Sequence, residues 1–121
     1  MIDRIKHVSI PVKDQDRALA FYTGKLGFEV TTDQSFGGGQ RWIELRIPGG
    51  GAGVVLFTPP GHEDRIGSMS NIVFTSDDLE TTYLELVQRG VEFAQPLKKE
   101  PWGMSSIFID SEGNQFVLGS K

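Results

Sequence analysis

HVSIPVKDQDRALAFYTGKLGFEV, residues 7–30, and NIVFTSDDLETTYLELVQRGVEFA, residues 71–94, are laid out in one order. Each opens with an alternating run of about six residues, the pattern of a half-buried strand. Each then reaches an Asp, passes through an amphipathic helix of about three turns to a Gly, and enters a second short strand. Identities are few, although Asp14 falls on Asp78. What repeats is the order strand, Asp, helix, Gly, strand, and a repeat of that length marks a duplicated structural unit.

The first helix is expected from Asp14 or Asp16 to about Lys25, because an Asp at its start accepts hydrogen bonds from the free N–H groups of the first turn. Leu19, Tyr22 and Leu26 form its expected buried stripe, with Ala18 and Phe21 along the edge, and Gly27 suits a left-handed C-cap. In the second helix Asp77 or Asp78 is the cap, Leu79, Tyr83, Leu86 and Val87 the stripe, and Gly90 the end. Two more strand candidates follow each unit. They are 40–47 and 53–58 around the turn PGGG at 48–51, then 104–109 and 114–118 around DSEG at 110–113. Glycine triples at 37–39 and 49–51 lie between strands, so they read as turns and not as phosphate loops.

The chain is therefore βαβββ twice: one domain over 1–121, with module one at 1–58, a linker at 59–69 and module two at 70–121. A four-stranded sheet with a helix on one face leaves its other face to be covered. The expected fold is α+β, with the modules forming a curved eight-stranded mixed sheet, helices on the convex face and a ligand-sized hollow on the concave one.

Composition narrows the function. The 121 residues are 38% hydrophobic and 23% charged, an ordinary globular balance. Absence of cysteine excludes disulfides, thiolate nucleophiles and cysteine metal sites. A net charge of −4 without a basic cluster argues against nucleic acid. No apolar run is long enough to cross a bilayer, and the alternating N-terminus is unlike a signal peptide, so a cytoplasmic location away from membranes is expected.

Three marks carry a family resemblance: HVSIPVKD at 7–14, AFYxxxLGF at 20–28 and DSEGN at 110–114. In that order, over nearly the whole chain, they resemble the vicinal oxygen chelate superfamily of glyoxalases, bleomycin resistance proteins and extradiol dioxygenases. The resemblance implies four strands that each supply one inward metal ligand, usually His, Glu or Gln, to a divalent cation that polarises substrate oxygens. Carried over, those positions fall on His7, Leu56, Asn71 and Val117. Leu and Val cannot ligate and Asn is a weak donor, so no cofactor is expected, a divalent metal being the alternative. Leu56→Glu together with Val117→Glu is then expected to create metal affinity.

Strand alternation bears on the same positions. Val8, Ile10 and Val12 oppose His7, Ser9 and Pro11, while Val55 and Phe57 oppose Val54, Leu56 and Thr58. Ile72 and Phe74 oppose Asn71, Val73 and Thr75, and Phe116 and Leu118 oppose Gln115 and Val117. With the bulkier set of each strand placed under a helix, His7, Ser9, Leu56, Asn71, Val73 and Val117 line the hollow. Trp42 and Glu44 share one face of their strand with Arg46, facing either the hollow or solvent, where Glu44 would form a cross-strand ion pair. Trp102, after a proline in a loop, is a lid or an interface residue.

His7 is a hydrogen-bonding pocket residue, a leftover ligand or a base, and His62 in the linker is solvated. The expected ligand-binding set is His7, Ser9, Trp42, Glu44, Leu56, Asn71, Trp102 and Val117, with catalytic residues unassigned and no metal ligands. One reading is a metal-independent small-molecule-binding protein with an apolar cleft, similar to the bleomycin-resistance branch. The other is an enzyme, a glyoxalase-like lyase, an isomerase or a dioxygenase, using a divalent metal or His7 and Glu44 as acid–base groups. Relatives of this size commonly build their clefts from paired modules, so the resemblance also implies a homodimer.

Overall fold

The computed structural model describes residues 1–35 and 39–121. Both expected caps are present, and they set the helix starts. The Asp14 carboxylate accepts from the N–H of Arg17 at 3.0 Å and starts α1, Gln15–Gly24. The Asp78 carboxylate accepts from the N–H of Thr81 at 3.2 Å and starts α2, Leu79–Gln88. Gly27 and Gly90, at φ 77° and 84°, follow the two helices in the left-handed conformation that a Cβ disfavours.

Around the helices lie strands β1 His7–Ile10, β2 Glu29–Ser35, β3 Arg41–Arg46 and β4 Gly53–Leu56, then β5 Met69–Ser76, β6 Glu92–Glu100, β7 Gly103–Ile109 and β8 Gln115–Ser120. A 3-10 turn, Glu63–Arg65, precedes β5. The chain divides into two compact units, residues 1–66 and 67–121. Each is βαβββ with a four-stranded mixed sheet, in the orders β1-β4-β3-β2 and β5-β8-β7-β6. In both, the first strand pairs in parallel with the last and the remaining pairings are antiparallel. The eight strands and two helices are those expected. Of the first glycine triple, Gly37 and Gly38 lie outside the described residues.

In unit 1 one sheet face packs on α1. Ile10, Ile43, Leu45, Val54 and Leu56 are buried against Ala18, Phe21 and Tyr22. The helix stripe differs from the expected one. Leu19 and Leu26 are half-buried, and the fully packed line runs through Gln15, Ala18, Phe21 and Tyr22 at helical spacing. Gln15 belongs to it because its amide completes the sheet end. It donates to the carbonyls of Leu56 at 2.8 Å and Arg41 at 2.6 Å, and accepts from the N–H of Arg41 at 2.8 Å. The Arg41 guanidinium then reaches Asp33 and Asp16, both at 2.9 Å, and the hydrogen bond from Arg41 to Asp33, ahead of that to Asp16, pushes its pKa above the ordinary value.

A second polar clasp holds the exit of β1. The Thr58 hydroxyl accepts from the N–H of Val12 at 2.8 Å and donates to its carbonyl at 2.9 Å. Gln40 closes the other side of Thr58, donating from Nε2 to the Thr58 carbonyl at 2.7 Å. Backbone groups beyond the ladder are thereby paired by side chains.

The face of β4 is the reverse of the expected one. Parallel pairing sets Val8 beside Val54, Ser9 beside Val55 and Ile10 beside Leu56. Leu56 therefore shares the helix-facing side with Ile10, and both are 0% exposed. Val55 and Phe57 take the side of His7 and Ser9. The run Val54-Val55-Leu56 is apolar throughout, so neither its alternation nor its bulk distinguishes the faces, whereas the register with β1 does.

Unit 2 builds its core from rings. Phe108 and Phe116 stack at 5.4 Å, Phe74 meets Phe116 edge-on at 5.4 Å, and Tyr83 of α2 lies 4.6 Å from Phe93. Leu79 and Leu86 seal the helix against this cluster, while Val87, expected in the stripe, is exposed along with Leu84. The DSEGN segment is a structural turn. The buried Asp110 carboxylate accepts from the N–H of Glu112 at 2.8 Å and of Asn114 at 2.9 Å, and from Asn114 Nδ2 at 3.0 Å. The Asn114 side-chain oxygen accepts from the N–H of Gly67 at 2.7 Å. Gly113 turns the chain at φ 83°. These bonds explain why Asp, Gly and Asn stand at those positions.

Candidate functional site

The face of the unit 1 sheet turned away from α1 carries the most chemistry. Its registers set Ser9, Val55, Glu44 and Thr32 side by side across β1, β4, β3 and β2, and Trp42 beside Gln34. Same-face neighbours across a sheet lie close enough for side-chain contact. The Trp42 indole donates from Nε1 to Glu44 Oε1 at 2.7 Å. Its ring lies 5.7 Å from the His7 ring, edge-on, and 5.4 Å from that of Phe57. Three rings in sequence, with one carboxylate bonded to the central indole, therefore form a half-buried platform.

Two groups on this platform have unused bonding capacity. His7 Nδ1 is buried without a hydrogen-bond partner among the described residues. Glu44 has the indole as its side-chain partner and forms no ion pair among the described residues. The nearest cation on the same face of β3, Arg46, is paired with Glu29. Val55, between Ser9 and Glu44 in register, is 0% exposed.

The eight expected ligand-binding residues fall into three groups. His7, Ser9, Trp42 and Glu44 share this one face of unit 1. Leu56 lies on the opposite face, in the core beneath α1. Asn71, Trp102 and Val117 belong to unit 2. There Val117 pairs with Val73 and Ile107 on the face away from α2, Asn71 is exposed in β5, and Trp102 sits in the β6–β7 turn at 82% exposure. Sequence reasoning missed Val55, Phe57 and Thr32 as members of the His7 face. The signal for the first two was the pairing of β1 with β4, which places Val55 opposite Ser9.

The donor set is a poor fit for a divalent cation. Within either unit, no three His, Asp or Glu side chains among the described residues are grouped to hold a metal ion. On the His7 face the β4 position is Val55, hydrocarbon like the Leu56 expected there, so that row adds no third donor to His7 and Glu44. First-row divalent metals need several imidazole or carboxylate donors converging on one point.

Comparison with known proteins agrees with this architecture. The model of the Glyoxalase/Bleomycin resistance protein/Dioxygenase superfamily matches residues 4–118. YetH of Bacillus subtilis is 31% identical over 98% of this chain and 98% of its own. A superfamily member from Sphaerobacter thermophilus superposes with a TM-score of 0.87 at 33% identity, covering 99% of this chain and 98% of its own. TnmS3, an antibiotic binding protein from a Streptomyces species, superposes with a TM-score of 0.85 at 29% identity over 98% of this chain and 96% of its own. With duplicated βαβββ units and a family match over almost every residue, this chain belongs to the glyoxalase/bleomycin resistance protein/dioxygenase superfamily.

Proposed function

We propose that this chain is a metal-independent small-molecule-binding protein whose ligand packs a planar group against Trp42. The observation that carries the reading is the ring sequence His7–Trp42–Phe57 on the sheet face away from α1, with Glu44 hydrogen-bonded to the central indole. Flat, rigid rings offer contact area at little cost in conformational entropy, and offset or edge-on ring pairs add attraction beyond burial. His7 Nδ1 offers one further polar contact, and a buried nitrogen left without a partner costs about 1–3 kcal/mol that a ligand hydrogen bond would offset. Similarity to the antibiotic binding protein TnmS3 supports the same class of function. Hydrocarbon at Val55 and Val117 supports independence from metal. The reading includes a homodimer, as the family resemblance implies, and the cytoplasmic location expected from the sequence.

The test is equilibrium binding followed by tryptophan emission. A Trp102→Phe background leaves Trp42 as the sole tryptophan, so quenching reports on the platform alone. A panel of planar aromatic compounds is expected to contain binders that quench Trp42, and Trp42→Ala is expected to abolish their stabilisation of the fold. A ligand at about 100 times its Kd should add about 2.7 kcal/mol to unfolding. Protein isolated without an affinity tag is expected to carry well under one equivalent of Zn, Ni, Mn or Fe. A stoichiometric metal, or a full panel that neither quenches nor stabilises, would refute the reading.

A further inference from the structure

We infer that the platform selects positively charged planar ligands, with Glu44 as the charge-recognising group. This inference rests on the binding function proposed above and names the ligand class. Its ground is a charge balance on one face of one sheet. Trp42, Phe57 and His7 present ring edges and faces, and the carboxylate among them is half-buried with an indole N–H on one oxygen. That indole bond orients the carboxylate and neutralises none of its charge. Arg46, two residues along β3, is held by Glu29, so the two cancel. Arg41 is on the other face of β3, where Asp16 and Asp33 hold it.

A neutral aromatic ligand would pack on the rings and leave Glu44 partly desolvated and unopposed, which is unfavourable. An anionic one would add repulsion. A planar cation gains twice. Its charge lies over electron-rich ring faces, and an N–H on its rim can donate to the free oxygen of Glu44. The equivalent row in unit 2 has no such group: Val73, Val117, Ile107 and Gln95 stand where unit 1 has Ser9, Val55, Glu44 and Thr32. Charge selection therefore belongs to unit 1.

The probes are three acridines of one ring size: proflavine, a cation at neutral pH, acridine at pH 8, where it is neutral, and acridine-9-carboxylate, an anion. Titrations use the full-length chain carrying Trp102→Phe, with Trp42 emission and thermal stabilisation as parallel readouts. Proflavine is expected to bind about tenfold or more tightly than acridine, from ring–cation attraction plus one charge-assisted hydrogen bond. The carboxylate is expected to bind most weakly. Glu44→Gln keeps an acceptor for the indole and removes the charge, so it is expected to weaken proflavine and collapse its preference over acridine to within about threefold. Asp64→Asn removes the same charge from the exposed 3-10 turn and is expected to leave the preference intact, which separates local recognition from attraction by an acidic surface. Equal affinities for all three probes would overturn charge selection and leave the binding function standing. So would a preference that survives Glu44→Gln or is lost in Asp64→Asn. Absence of binding by every probe overturns both.

Discussion

At the scale of single residues, polar side chains do work that the sequence leaves easy to overlook. Gln15 stands one residue past a helix cap, a position where a polar residue ordinarily faces water, yet it is buried and bonded to both Arg41 and Leu56. Replacing it with Leu keeps the volume and strands one N–H and two carbonyls at the sheet end. The expected cost is about 3 kcal/mol, since each buried unpaired group costs about 1–3 kcal/mol and some regain water, and urea unfolding would measure it. Asp110→Ala removes three acceptor contacts from the turn before β8 and is expected to cost about 2 kcal/mol by the same measurement. By contrast, Asp14 and Asp78 were legible from sequence alone, because a helix cap is a local device whose partner lies three residues on.

At the scale of elements, both helices, all eight strands and the two closing glycines could be anticipated, since period and punctuation are properties of a short stretch of chain. The facing of β4 could not. Val54, Val55 and Leu56 are alike in polarity, and their sides are decided by a parallel partner more than forty residues earlier in the chain. The expected hollow-lining role of Leu56 fails for that reason. Its substitution by Glu would bury a carboxylate beneath α1, so a loss of about 3–5 kcal/mol is expected, a large share of a small domain's stability. Val117→Glu, on a half-buried face, is expected to leave a folded protein with a cooperative melt. Thermal melts followed by circular dichroism check the assignment, and a Leu56→Glu variant as stable as Val117→Glu would contradict the register between β1 and β4. The pairing Trp42–Glu44 was visible as alternation, but its juxtaposition with His7 and Phe57 required β4 between them.

At the scale of the whole molecule, the chain is one βαβββ unit used twice, with the ring and carboxylate cluster in the first copy. The helix-facing sides of the two units match, Ile10, Leu56, Val54 and Leu45 answering to Phe74, Leu118, Phe116 and Phe108, with the buried Ser106 a polar exception opposite Leu118. The opposite rows have diverged, one toward rings and a carboxylate, the other toward aliphatic and hydroxyl side chains. The family match over residues 4–118 gives the ancestry of this arrangement. A homodimer predicts a sedimentation mass twice that of the chain at micromolar concentration. A monomer at every concentration would remove that part of the proposal and leave Trp42 quenching as its remaining test.

The side-chain clasps of unit 1 also have a kinetic signature. The amides of Val12 and Arg41 are held by Thr58 and Gln15, outside the regular ladder. Fraying of a strand end releases ladder amides one at a time, whereas these two are freed only when a distant segment of chain lets go. In deuterated buffer they should be among the slowest protons of the first unit to disappear, at a rate shared with its global opening. Thr58→Val should turn Val12 alone into a fast exchanger while Arg41 keeps its protection.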